Sequence, residues 1–262
     1  MDEQARTTPH SNTGDGQRVT RSPWTLLVLC LCGAIGITGL SALGVWQLER
    51  RVWKLDLIER VDQRLKAVPV AAPAPSAWPA INARDDEYRR LVVPGRFLGD
   101  RETLVQAVTD LGGGFWVMAP FRADDGFTIL VNRGFVPTDK RDPATRLAGK
   151  PSGDHTGIHG LLRISEPKGG FLRTNDPAAN RWYSRDVQAI ATTQGLGQVA
   201  PYFIDADATP NPGGWPVGGL TVVSFHNNHL AYALTWFGLA LMVLSAVAYL
   251  LRQAVKDRHG GG

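Results

Sequence analysis

The segment NNHLAYALTWFGLALMVLSAVAYLL (residues 227–251) opens on two amides and an imidazole, His229, and carries no charge from residue 230 to 251. About 22 residues at ~1.5 Å each make a helix long enough to cross roughly 30 Å of hydrocarbon. The segment reads as a transmembrane helix over 227–251 with a histidine at its mouth.

Working outward, Arg252, Lys256 and Arg258 follow the apolar run, and between Trp182 and Leu251 the only Lys or Arg is Arg185. Positive charge concentrates on the cytoplasmic side of a span, so 252–262 reads as a cytoplasmic tail. A second uncharged run, residues 23–46, is also long enough to span. Two spans put both termini in the cytoplasm and the segment between them, residues 47–226, on the outer face. Charges flank the first span on both sides, with Arg18 and Arg21 before it and Arg50, Arg51 and Lys54 after it. It alone therefore does not orient the chain. Its apolar stretch is too long for the h-region of a cleaved signal peptide. Residues 1–22 are polar, low in apolar content and contain Asp2, Glu3 and Asp15. They read as a disordered cytoplasmic tail and not as an acid-poor transit peptide. A multi-pass protein of a bacterial inner (cell) membrane, with its main domain periplasmic, is the better match than a mitochondrial one.

The first span is glycine-rich (Gly33, Gly36, Gly39, Gly44), which lets another helix approach closely. Leu48, Val52, Leu55, Ile58, Val61 and Leu65 continue at helical steps with charges opposite, so the helix is expected to run to about residue 66. Pro69, Pro73, Pro75 and Pro79 then forbid it. The outer segment holds 22 Lys/Arg against 20 Asp/Glu and no basic stripe with interleaved aromatics, which argues against nucleic acid as a partner. It reads mostly as strands: 88–97, 103–108, 115–121, 127–132, 157–164, 202–205 and 221–225. Alternating apolar residues around Asp125-Gly126 mark a hairpin. One helix is expected over 185–193, capped near Ser184 and stopped at Gly195. The fold class is a membrane protein whose two transmembrane helices flank an α+β, strand-rich, barrel-like extracytoplasmic domain.

Machinery for enzymatic chemistry is not visible. There is no HExxH, GxSxG, P-loop or helix-opening GxGxxG. The only cysteines, Cys30 and Cys32, lie in the first span about 200° apart on a helix and read as small apolar residues. His155 and His159 would pair on a helix, but Gly153, Gly157 and Gly160 argue against one. His226 and His229 share a helix face with Tyr232 and Trp236. Such residues serve as interfacial anchors, and a neutral imidazole is also a common axial ligand of haem iron. Arg50, Arg51 and Lys54 either snorkel to headgroups or meet carboxylates such as haem propionates near His229. Asn132-Arg133-Gly134 reads as a bulge or turn. Arg133, Arg181 and Arg185 read as partners in internal ion pairs ahead of intermolecular contacts.

LGVWQLERRVWK (43–54), GRFL (95–98), ILVNRGFVP (129–137), NRWYSRD (180–186), YFIDAD (202–207) and NNHLAYALTWFGLA (227–240) occur in an order that resembles the surfeit locus protein 1 family. The resemblance covers about residues 43–251. It implies a non-enzymatic assembly factor for cytochrome c oxidase, acting on the haem a-containing catalytic subunit. It also implies that haem a is bound, as in some bacterial members, through a histidine at the start of the second span, which is His229 here. His229 would then be the ligand of the haem iron, with Arg50, Arg51, Tyr232 and Trp236 around the porphyrin. The haem a synthesis enzyme becomes a possible second partner. A haem-free scaffold that stabilises the catalytic subunit is the other reading. Trp215 interrupts the family's Gly-Gly-Pro run, which leaves the shape of that loop open.

Overall fold

A computed structural model describes residues 23–99, 101–150, 153–170, 172–221, 223 and 227–259. The expected tail 1–22 and His226 lie outside the described residues. The chain divides into a helical unit, residues 1–55 with 226–262, and a strand-rich unit, residues 56–225. The fold class is the expected one: two helices long and apolar enough to cross a membrane flank a domain built mainly of strands.

The helical unit contains most of α1 (Pro23–Lys66) and all of α4, the last helix (His229–His259). They run antiparallel, and glycines make the close approach possible. Gly33 faces Val247, Gly36 faces Val243, and Gly44 lies so near Phe237 that a Cβ there would sit 2.6 Å from the ring. Gly33, Gly44 and Ala233 are buried, so small residues form the seam, as packing between membrane helices favours. Gly39 meets nothing within 4 Å and is not part of it.

In the strand-rich unit the strands are β1 (Val70–Ala71), β2 (Arg90–Phe97), β3 (Thr103–Thr109), β4 (Gly112–Ala123), β5 (Thr128–Pro137), β6 (Thr156–Ile164) and β7 (Val199–Ala206), with a one-turn helix, α2 (Ala83–Asp86), between β1 and β2. Their order is β1-β2-β6-β7-β5-β4-β3, and β2 also pairs with β4. The β2–β4 pairing closes a five-stranded ring, β2-β6-β7-β5-β4, whose pairs are antiparallel except β5–β7. Closure happens at Gly95, where β2 passes from pairing with β6 to pairing with β4. Any Cβ at this position would collide with the Arg122 carbonyl oxygen, so only glycine lets β4 come in.

Alternation along the strands separates two apolar layers. Leu91, Val93, Phe121, Ile129, Val131, Leu162, Tyr202 and Ile204 fill the barrel interior. Val105, Met118, Leu130 and Phe203 point outward, under Trp182 and under Val187 and Ile190 of a short helix, α3 (Val187–Thr193). That cover explains why β5 is buried on both faces.

Most strands form where alternation places them, with local differences. β4 and β5 make the hairpin at Asp125-Gly126, with Gly126 in the left-handed region at φ 89°. β5 continues past Asn132 because Arg133 and Gly134 form a bulge opposite Val117, between the pairs Met118↔Asn132 and Trp116↔Phe135. No strand forms at Thr221 or Val223, and Val222, Ser224 and Phe225 lie outside the described residues. The cap of α3 is Asp186, which accepts from the Ala189 amide, and not Ser184. Ser184 Oγ instead bonds the Glu166 carbonyl and accepts from Gly169 N and Asn175 Nδ2, holding the preceding loop. Gly195 does end the helix region, at φ 61°.

Candidate functional site

In the helical unit His229 is the first residue of α4 and is half-buried. Its Nδ1 lies 2.7 Å from Oε1 of Gln47 on α1. Gln47 follows Gly44 by one turn, on the side of α1 that meets α4. Arg51 continues that line one turn further and is half-buried, whereas Arg50 is exposed and stacks on Trp53, its guanidinium carbon 4.2 Å from the ring centroid. Tyr232 is exposed and Trp236 half-buried, on the face of α4 shared with His229. Thus the fold joins His229 to Gln47. It puts Arg50 and Arg51 within a turn of Gln47 on α1, with no hydrogen bond or ion pair between either arginine and His229.

Gln47 escaped the sequence reading. Its only signal is an amide at the edge of an apolar run, and its partner lies 182 residues away.

The chemistry open to this site is narrow. With Nδ1 engaged, His229 offers one nitrogen, Nε2, which makes no hydrogen bond among the described residues. Among those residues no group of three or more His, Cys, Asp or Glu could hold a metal ion. The sulfurs of Cys30 and Cys32 are at least four turns away, about 22 Å along α1. A metal meeting His229 must therefore bring most of its own ligands. A porphyrin does so, and the donor set fits one: the His229 imidazole, nearby guanidinium groups for carboxylates, and exposed apolar helix surface for a hydrocarbon tail.

The other marked stretches converge on a buried carboxylate on the outer wall of the barrel. Asp205, 3% exposed, accepts from Asn132 Nδ2 at 2.8 Å, Arg163 Nη1 at 2.9 Å, Arg185 Nη1 at 3.1 Å and Thr221 Oγ1 at 2.9 Å. Arg185 also pairs with Glu166 and lies over the Phe203 ring. Arg163 pairs with Glu87 and lies over Tyr88. Burial pushes the Glu166 carboxyl up, but the hydrogen bonds and charge of Arg185 outweigh it and hold the group below the ordinary carboxylate range. Arg133 makes a second buried cluster with Glu102, the Gly149 carbonyl and Asn211, and Arg146 shares Glu102. Desolvation lowers the pKa of Arg133 more than Glu102 restores it.

These matched charges are the internal ion pairs expected for Arg133 and Arg185. Arg181 pairs with Asp176 at the surface, and Trp182 is core. His155 bonds Asp124, while His159 lies four residues on along β6, about 13 Å away by strand geometry, so they do not form a metal pair. Trp215 precedes a cis peptide to Pro216, and Asn211 closes that loop by donating to the Pro216 carbonyl.

Fold and site together define a class: a small closed barrel whose segment lies in sequence between two membrane-type helices, with the His229 imidazole where the helices pair. Residues 34–241 match the family model described as SURF1 family. The chain is 39% identical over 232 residues to surfeit locus protein 1 of Mus musculus, covering 82% of this chain and 72% of the mouse protein. It is 37% identical to the Homo sapiens protein of the same name, covering 87% and 75%. A SURF1-like protein of Monosiga brevicollis is 37% identical, covering 80% and 83%. The chain belongs to the SURF1 family.

Proposed function

We propose that this protein is an assembly factor for a haem-copper terminal oxidase, cytochrome c oxidase, and that it binds haem a through His229 and assists its insertion into the catalytic subunit. The observation that carries the reading is the His229–Gln47 pair: an imidazole with one nitrogen tied and the other open, where two apolar helices pair beside Arg50 and Arg51. Haem a would supply the iron that Nε2 meets and a farnesyl chain suited to lipid. Arg50 and Arg51 would face its propionates, and Tyr232 and Trp236 would flank the ring from α4. The role is binding and delivery, without catalysis. Both helices cross a bacterial inner membrane, the termini are cytoplasmic, and the barrel is periplasmic. The supports for this placement are the Arg252, Lys256 and Arg258 cluster and the dearth of positive charge before α4.

The test is the visible spectrum of the full-length protein purified after co-expression with haem a synthesis. The wild type should carry haem absorbance, and His229→Ala should lose most of it. Undiminished absorbance in His229→Ala removes His229 from the role.

One observation favours a second reading, a haem-free scaffold for the catalytic subunit. The tip of the β3–β4 hairpin exposes Val108 (88%) and Leu111. Leu172 is equally exposed, and its neighbour Arg173 is bonded to Gln106 of β3. A colourless wild type that co-purifies with oxidase subunits would establish that role instead.

A further inference from the structure

An imidazole can bind a metal through either ring nitrogen, and the hydrogen bond at one nitrogen decides which remains available. We infer that Gln47 is the positioning residue of His229. Its carboxamide oxygen accepts the Nδ1 proton, holds the ring in that tautomer and leaves the Nε2 lone pair as the only ligand position. What Nε2 meets rests on the haem reading above; the tautomer does not.

The geometry favours this assignment in three ways. The contact is short, 2.7 Å, and part-buried, so water competes weakly for either group. Gln47 is fixed by the helix seam: one turn before it Gly44 lacks a Cβ and admits Phe237, which draws α4 against α1 at this level. No other described residue hydrogen-bonds the ring.

The choice of a carboxamide also has a chemical consequence. A carboxylate at this position would carry a charge at the edge of an apolar helix pair, which is costly there. It would also pull on the Nδ1 proton and make Nε2 a stronger donor. A neutral amide orients the ring with less of that push. Such a ligand holds its cargo and also lets it go, as delivery requires. A carboxamide turned end for end would instead donate to Nδ1, put the proton on Nε2 and close the ligand position, so the two arrangements predict opposite tautomers.

The experiment uses the full chain in detergent, free of haem, with 15N-labelled histidine and His229→Ala to assign the signal. The wild type and Gln47→Glu should show His229 protonated on Nδ1 with Nε2 bare. Gln47→Leu, an apolar replacement that keeps the helix, should lose that tautomer. On titration with haem a, Gln47→Leu should bind about 10–100-fold more weakly than wild type. Gln47→Glu should bind at least as tightly as wild type. Thermal melting of the strand-rich domain should be unchanged in both variants, which a general structural effect would not allow. A wild-type ring protonated on Nε2, or a Gln47→Leu ring unchanged from wild type, overturns the inference. Failure of the haem reading looks different: His229→Ala would bind haem a as tightly as wild type while the Gln47-dependent tautomer persists.

Discussion

At the scale of single residues, the two informative positions are Asp205 and His229, and they differ in kind. Asp205 is enclosed by Arg163, Arg185, Asn132 and Thr221, so its side chain is a structural hub. Removing it leaves two largely buried guanidinium groups short of a partner. Asp205→Ala should destabilise the strand-rich domain by about 3–5 kcal/mol. In thermal melts of the full chain this is a fall of roughly 10 °C, since each kcal/mol shifts a domain of this size by about 2–4 °C. Asp205→Asn keeps shape and part of the hydrogen bonding and should lose less; equal losses would mean that the charge carries the whole effect and the retained shape contributes nothing. Among the described residues His229 has one hydrogen-bond partner, Gln47, instead of a cage, which leaves Nε2 open to the ligand proposed above. Its replacement should leave domain melting untouched while removing haem absorbance. Residue types in both places were visible in the chain, but their partners were not: Asn132 and Asp205 are 73 residues apart.

At the scale of elements, the pairing of α1 with α4 depends on absent side chains. Gly44→Ile would drive a branched side chain into the Phe237 ring, 2.6 Å from where its Cβ would sit, so the ring and the helix behind it must move away. The expected result is separation of the helices at the level of Gln47, with haem loading reduced several-fold and barrel melting unchanged. Absorbance and circular dichroism on one sample decide it. Among the strands, β5 shows how much local sequence can carry. Its alternation and the Asp125-Gly126 turn predict the hairpin directly, and Asn132-Arg133-Gly134 predicts a bulge or turn. Only the fold shows that it is a bulge, because the Gly134 backbone must pass against the Val217 carbonyl, where a Cβ would collide. The strand expected at 221–225 fails at Thr221 and Val223 for a related reason. The five ring strands are already paired on both sides through the β2–β4 closure, and Thr221 bonds Asp205 from outside the ring instead.

At the scale of the whole molecule, acid should unfold the strand-rich domain through its paired carboxylates. The Glu166 carboxyl is held below the ordinary range in the folded state, so its stabilisation is complete above the unfolded value of about 4.3. It disappears as pH falls further, through the lower folded value. Denaturation of the full chain should therefore show a stability plateau near neutrality and a falling limb below about pH 4. Glu166→Gln should flatten part of that limb. The change should be modest, because the Glu166 side chain is 38% exposed and solvent screens the pair. A wild-type curve with no acid limb would show that the buried arginines are not held by ionised partners.

Local periodicity was enough to determine two apolar helices, a strand-rich domain between them and the hairpin at Asp125-Gly126. Each is settled within a few residues, by hydrophobic spacing or by a backbone angle that glycine alone adopts easily. Tertiary structure decided the rest. It closed the ring at Gly95, gathered scattered arginines around Asp205 and set Gln47 against His229. Those outcomes depend on which distant segments meet, and no spacing along the chain encodes a contact across 182 residues until both helices are in place.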